Sequence, residues 1–344
     1  MRRKLLWAGV GLVITVVGLL YSPATRAWRR FAAISEMRTA PSCRPVEYAQ
    51  TESNPLRILP TRYVADRWIA TPVTTEGDTL EFFLDSGGGG MLATKRTLRR
   101  LGYEPEFLLV EGTDSVFTGG AFPSFRADAL IPPPRCSRPL YGLDDDLPAE
   151  LEDADGILGH TWFAGRVWVY DYPQRQLSVF EAPPPPRTFD AHTIPMTLKD
   201  PPRKNFPRIQ VAIAGDTIGM LLDTGATSEL TPEAVEVMGD GPAMRASAFV
   251  STRLWNRWRL DHPTWRVIES GEVRTRAALI EVPSLSIAGY EVGPVWFAKR
   301  PDSVYDRMMN PQMDRAVDAS LGGAALRTFR MTMDYPNQRV TFER

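Results

Sequence analysis

The chain has 344 residues with 40 basic and 41 acidic side chains, a net charge of −1 that gives no electrostatic case for a nucleic-acid partner. Three histidines (His160, His192, His262) and two cysteines (Cys43, Cys136) show no metal-ligand spacing, so neither a zinc site nor any other metal or cofactor is expected. Nothing matches the Gly-x-Ser-x-Gly turn of a serine hydrolase, nor a phosphate-cradling Gly-Lys-Ser/Thr.

In chain order, Arg2, Arg3 and Lys4 precede an uncharged apolar run from Leu5 to Tyr21. A basic start followed by such a run reads as an export signal, cleaved near Ala27 or kept as a membrane anchor. Arg26, Arg29 and Arg30 crowd the cleavage region and tilt the reading toward the anchor. Either way the body is expected outside the cytoplasm, periplasmic in a bacterium. Segment 1–27 is therefore set apart as signal or anchor and 28–60 as a tether. Cys43 and Cys136 either pair as a disulfide in that oxidising setting or remain separate thiols; the sequence leaves both open.

From residue 61 the pattern changes to short apolar runs punctuated by turns. Ile69 to Thr75, a Glu76-Gly77-Asp78 turn and Thr79 to Leu84 predict a hairpin that delivers Asp85, followed by Ser86 and Gly87 to Gly90. A short helix is expected over Thr94 to Leu101, stopped at Gly102. Phe117-Thr118-Gly119-Gly120 reads as a further turn. The acidic stretch Asp144 to Asp155 lacks calcium-loop spacing and reads as a solvated loop. Then come Gly156-Ile157-Leu158-Gly159, a packing or surface His160, and a closing hairpin over Arg166 to Phe180 with its turn at Tyr172-Pro173.

The Pro183 to Pro186 run cannot pair within a sheet and marks a spacer, 182–190, between a first lobe (61–181) and a second (191–344). In the second lobe, Ile209 to Ile213, Ala214-Gly215-Asp216 and Thr217 to Leu222 predict another hairpin, ending on Asp223, Thr224 and Gly225. Thr231 is a plausible N-cap with Pro232 in the first helical turn and Gly239 at the stop. Trp255, Trp258 and Trp265, interleaved with Arg253, Arg257 and Arg259, either wall a substrate cleft or cover the core of this lobe. Leu321-Gly322 and a hairpin turning at Tyr335-Pro336 close the chain.

These segments repeat. Residues 77–87 lie over 215–225 without a gap at an offset of 138, and Gly156 to Gly159 and Asp171-Tyr172-Pro173 lie over Ala319 to Gly322 and Asp334-Tyr335-Pro336 at an offset of 163. The second copy therefore holds 25 extra residues between its two blocks. Because a short helix-like segment follows each Asp loop, the helix at Thr94 is matched with the helix at Thr231.

With Leu222-Asp223-Thr224-Gly225-Ala226, its helix and the Leu321-Gly322 block, the second half resembles a retropepsin-like unit of the aspartic protease superfamily. The first half repeats it as Leu84-Asp85-Ser86-Gly87-Gly88. The resemblance covers most of residues 61–344. It implies a mainly β, bilobal pepsin-like fold with short helices, and a monomeric catalytic unit made by duplication. It implies catalytic Asp85 and Asp223 sharing a proton, supported by Ser86, Gly87, Thr224 and Gly225, with the two hydroxyls bonding across the lobe interface. The activity implied is endopeptidase cleavage of a peptide or protein substrate without a cofactor; an inactive peptide-binding protein of the same fold is the alternative. Two departures stand out. Gly88 replaces the usual Ser or Ala, and the glycine run predicts a loose, poorly preorganised Asp85 loop. Ser320 stands where the family is usually apolar.

Overall fold

The structure, a computed structural model, describes residues 56–103, 106–109, 116–135, 140–143, 154–180, 192–239 and 241–344. The predicted signal or anchor, the expected tether up to Pro55, both cysteines, the proline spacer and most of the acidic stretch lie outside these; the last residues of the expected tether are not a tether, since Leu56–Ile58 form a strand that pairs with Ser178 to Phe180. Among the described residues no helix is long and apolar enough to cross a membrane.

The apolar runs become strands, and the chain is mainly β. The first half contains β1 (Leu56–Ile58), β2 (Thr61–Val64), β3 (Arg67–Ala70), β4 (Phe82–Leu84), β5 (Met91–Thr94), α1 (Lys95–Arg100), β6 (Glu106–Leu109), β7 (Val116–Gly120), β8 (Leu140–Leu143), β9 (Gly156–Leu158), α2 (His160–Phe163), β10 (Val167–Asp171) and β11 (Gln176–Phe180). Its main sheet has eight strands in the order β2-β3-β4-β9-β5-β8-β7-β6.

The second half contains β12 (Thr193–Pro195), β13 (Arg208–Ile213), β14 (Asp216–Leu222), β15 (Thr227–Glu229), α3 (Pro232–Met238), β16 (Met244–Ala246), β17 (Ala248–Ser251), α4 (Thr252–Asp261), β18 (Val267–Ile268), β19 (Leu279–Val282), β20 (Leu285–Ile287), β21 (Tyr290–Val292), β22 (Val295–Arg300), a π-helical turn (Val304–Met309), β23 (Ala319–Leu321), α5 (Gly323–Leu326), β24 (Arg330–Asp334) and β25 (Arg339–Glu343). Its main sheet has nine strands, β18-β19-β22-β17-β23-β14-β13-β20-β21.

A third sheet joins the halves, with three strands from each in the order β1-β11-β10-β24-β25-β12. At its centre β10 runs antiparallel to β24, and Val169 faces Thr332, its own counterpart at the 163-residue offset. Tyr172 N–H donates to Phe329 C=O at 3.1 Å and Tyr335 N–H to Arg166 C=O at 3.2 Å, a reciprocal pair at the same offset. A local twofold therefore passes between Val169 and Thr332. The main apolar core runs through both halves, with the Trp162 and Trp168 rings packed at a tilt 4.4 Å apart near this seam. Both indole N–H groups stay satisfied, donating at 2.8 Å to Pro132 and Phe163 carbonyls.

The strand ladders correct the matching of the helices. β5 pairs antiparallel with β9 and parallel with β8; β17 does the same with β23 and β22. This equates Met91 with Ala248, an offset of 157. Thr94, whose side chain accepts from Thr97 N–H to cap α1, then falls on Ser251, which accepts from Leu254 N–H to cap α4. The counterpart of α1 is α4, not α3. Helix α3 starts as predicted, with Thr231 as N-cap and Pro232 in the first turn, but it belongs to an insertion with the β15–β16 hairpin. That insertion accounts for 19 of the 25 extra residues; the other six lie between β22 and β23.

Two further expectations change. Phe117 to Gly120 is not a turn but part of β7, paired to β6 on one side and β8 on the other. Pairing on both sides fixes an extended backbone there and overrides the local turn signal of the two glycines. Trp255 and Trp258 are buried in the second-half core, Trp258 edge-on to Phe297 at 5.3 Å, with Trp265 packed beside it. Arg253 and Arg257 are drawn to Asp306, Asp318 and Asp216. The cluster covers a core rather than walling a cleft.

Candidate active site

β4 and the last three residues of β14, Met220 to Leu222, are apolar and buried and carry Asp85 and Asp223 to the strand ends. Each strand runs parallel to the later block of its own half, β4 to β9 and β14 to β23. The ladder continues one residue further, Asp85 N–H donating to Leu158 C=O at 3.1 Å and Asp223 N–H to Leu321 C=O at 2.9 Å. The Leu-Gly segments thus hold the Asp loops from beneath. Gly322 lies so close to Ser247 C=O and Ala226 that a side chain there has no room.

Both Asp loops come from one chain and meet across the local twofold. Ser86 N–H donates to Thr224 Oγ1 at 3.1 Å and Thr224 N–H to Ser86 Oγ at 3.0 Å. Ser86 Oγ–H donates in turn to Leu222 C=O at 2.7 Å. Ser86 and Thr224 are fully buried, so these bonds form where water cannot replace them. Thr224→Val leaves Ser86 N–H buried without a partner, and a loss of about 1–3 kcal/mol in urea unfolding is expected.

The two carboxyls are within hydrogen-bonding reach of each other. Each is also held by its own loop, Gly87 N–H donating to Asp85 Oδ1 at 3.0 Å and Gly225 N–H to Asp223 Oδ1 at 3.2 Å. Burial raises the pKa of both. Asp85 is pushed the further, first by burial, then by the charge of Asp223 and the hydrogen bond between them. Asp223 rises through burial, with the bond from Asp85 pulling the other way. The geometry is that of a pair sharing one proton, which belongs to the pair and to neither member alone.

The glycine run is a requirement of this packing and not a source of looseness. A Cβ on Gly87 would lie 2.5 Å from Asp223 Cγ, one on Gly88 would strike the Asp85 carboxyl, and one on Gly225 would strike it from the other side. The loop is buried and tied down, Gly159 N–H donating to Gly90 C=O at 2.8 Å and His160 N–H to Gly88 C=O at 3.1 Å. The expected poor preorganisation of Asp85 is therefore overturned for these described residues.

His160 is a packing residue, its ring tilted against Phe206 at 4.0 Å with Asn205 N–H directed at its Nδ1 at 3.2 Å. The sequence reading passed over Phe206 and Tyr170. Tyr170, next to the Asp171-Tyr172-Pro173 repeat, is wholly buried, and the charge of Asp85 reaches it. Its place one residue before that repeat was the available signal. Among the described residues no cluster of His, Cys, Asp or Glu is grouped to hold a metal ion.

No family model and no curated protein sequence matches this chain. Among solved structures it is similar to an aspartic proteinase from Irpex lacteus (11% identity, 84% of this chain and 97% of that one, TM-score 0.48). It is also similar to a retropepsin-like aspartic protease from Rickettsia conorii (14% identity, 44% of this chain and 87% of that one, TM-score 0.27). The sheets and the repeat describe a mainly β chain of two related halves, with an Asp-Ser/Thr-Gly loop from each meeting at the seam.

Proposed function

We propose that this protein is an aspartic endopeptidase in which Asp85 and Asp223 activate a water between them. The observation that carries the reading is the pair of carboxyls, Asp223 buried and Asp85 half-buried, on reciprocally bonded loops of one chain. Whichever member is charged takes a proton from the water as the water oxygen attacks the peptide carbonyl carbon. The protonated member gives its proton to the carbonyl oxygen, producing a neutral tetrahedral diol. Collapse of the diol returns a proton to the pair and protonates the departing nitrogen as the C–N bond breaks. The substrate is an extended peptide laid across the seam between the halves. The basic start and apolar run at Arg2 to Tyr21 support an enzyme held by its N-terminus on the extracytoplasmic side of a membrane.

The test is cleavage of a peptide library by the full-length protein from acid to neutral pH, with and without a statine peptide that mimics the tetrahedral diol. Cleavage blocked by the statine supports the reading; no cleavage by folded protein at any pH sinks it.

The pKa directions fix the shape of the pH profile. Activity needs one proton on the pair, so it falls on the acid side as the pair takes up a second proton and on the alkaline side as it loses the first. Because Asp223 is raised from 3.8 and Asp85 well above that value, a bell for kcat/KM is expected with its acid limb above 3.8 and its alkaline limb well higher. An acid limb below 3.8 contradicts the burial of the pair.

A further inference from the structure

The insertion between the Asp223 loop and β17 borders a cavity that the chemistry above does not use. The first half passes straight from Gly90 to β5 and has no counterpart of this insertion. The cavity holds about 220 Å³ and lies between the β2–β3 turn of the first half, the inserted β15–α3–β16 segment, β22 and α5. Backbone contacts fix these walls against one another. Ala246 N–H donates to Ala65 C=O at 3.0 Å, and Ser247 N–H to Ala226 C=O at 2.8 Å. Gly323, at the start of α5, lies so close to Asp66 C=O that a side chain has no room there.

The lining divides by chemistry. Leu230, Met238 and Trp296 make an apolar wall and belong to a small core cluster of their own. The charged groups of the described lining are Asp66, Arg245 and Arg327. Asp66 already accepts a hydrogen bond, from the Tyr63 hydroxyl to its Oδ1 at 2.5 Å. Arg245 is half-buried, its Nε donating to Pro242 C=O at 2.7 Å and its Nη1 to Gly239 C=O at 3.4 Å. Its Nη2 is buried and donates to nothing among the described residues. Arg327, exposed just after α5, forms no ion pair among the described residues. Burial pulls the pKa of Arg245 down, with the charge of Asp66 opposing.

A buried cation with an unmet donor costs free energy, and a carboxylate is the group whose geometry matches the guanidinium fork. Two cations against one anion leave a single positive charge, which one carboxylate balances and a dianionic phosphate exceeds. The volume is several times the roughly 30 Å³ of a water. It falls short of the roughly 300 Å³ at which pockets for drug-sized ligands begin.

We propose that this cavity binds the carboxylate of a small monoacid with an apolar body, the carboxylate on Arg245 Nη2 and Arg327 and the body against Leu230, Met238 and Trp296. A free organic acid and the C-terminal end of a peptide share this chemistry. Binding here does not depend on the peptidase reading, because neither Asp85 nor Asp223 lines the cavity.

The probe is 3-phenylpropionate, with 3-phenylpropionamide as its uncharged twin, titrated by calorimetry into the full-length protein. Saturable binding of one acid per chain is expected, with the amide about tenfold weaker or more, the scale of one charge-assisted hydrogen bond. Arg245→Gln is expected to weaken the acid by about tenfold and to leave the amide unchanged. Arg327→Gln takes its place if circular dichroism shows that variant unfolded. A short peptide ending in Phe, compared with its C-terminal amide, separates the two sources. An Arg245-dependent preference for the free terminus assigns a chain end; binding of phenylpropionate without that preference assigns a free acid. No saturable binding by folded wild type overturns the site. Equal affinity for acid and amide, or unchanged affinity for the acid in the folded arginine variant, overturns it as well.

Discussion

Asp85→Asn and Asp223→Asn are each expected to lower kcat/KM by about 10⁴-fold or more while the protein stays folded, and the double variant to lose no more than the worse single one. The amide keeps the size of the carboxyl and much of its hydrogen bonding, so the buried loops stay in place. What is lost is the one-proton state, in which one member is charged to take a proton and the other is protonated to give one. Groups that act as a unit are non-additive because either loss disables the same step. Peptide cleavage by the three variants checks this; a residual rate near wild type in either single variant sinks the shared-proton pair. Loss confined to Asp223→Asn would instead place the working pair between two chains.

The same substitutions carry a second expected result of opposite sign. The folded-state pKa of Asp85 is raised, chiefly by burial. A raised carboxyl contributes stability that is fully present below its unfolded pKa and lost as pH rises toward the folded one. Asn cannot ionise and does not suffer that loss. Folded Asp85→Asn is therefore expected to melt higher than wild type near neutral pH, with the difference closing as the pH is lowered past the unfolded carboxylate range. Activity and stability then move apart, which a damaged fold cannot produce.

How far the sequence reveals this arrangement depends on the kind of signal. The strands that carry Asp85 and Asp223 were legible because an apolar run, a small hydroxyl residue and a glycine recur at a fixed offset. The partnership of Ser86 with Thr224 came with the family resemblance and lies in the hydrogen bonds across the seam. The match of α1 with α3 failed because an N-cap marks where a helix begins and says nothing of the strand before it. Thr94, Thr231 and Ser251 all cap helices, and only the ladders show which two follow equivalent strands. The Trp255–Trp265 cluster was ambiguous because one aromatic pattern serves a core or a cleft, and burial is a tertiary fact. The glycine run misled for a related reason. Read locally, four glycines mean freedom; in the folded chain, Gly87 and Gly88 are where two carboxyls and their loops come too close for any side chain. The cavity at Arg245 had no sequence signal beyond the residues inserted after the Asp223 loop.

Gly87→Ala is the second variant expected to act strongly, and its cause can be isolated. The three heavy atoms nearest an added Cβ all belong to the Asp223 carboxyl, at 2.5, 2.6 and 2.9 Å. Neither side can yield cheaply. The Gly87 N–H is tied to Asp85 Oδ1, and the Asp223 carboxyl is held by Gly225 N–H and by Asp85 itself. Relief requires the loops to part. A displacement of about 1 Å at the reacting groups is enough for a loss near 10²-fold in kcat/KM, and overpacking of this kind lowers stability by about 1–3 kcal/mol. If the clash is the cause, it disappears when its partner does. In an Asp223→Ala background, Gly87→Ala is expected to change the unfolding free energy by well under 1 kcal/mol, so the double-mutant cycle returns nearly the whole penalty as interaction between the two positions. An equal penalty in both backgrounds would locate the requirement for glycine in the backbone of the loop, not in the approach of the Asp223 carboxyl, and would separate the seam's geometry from the pairing of the two acids.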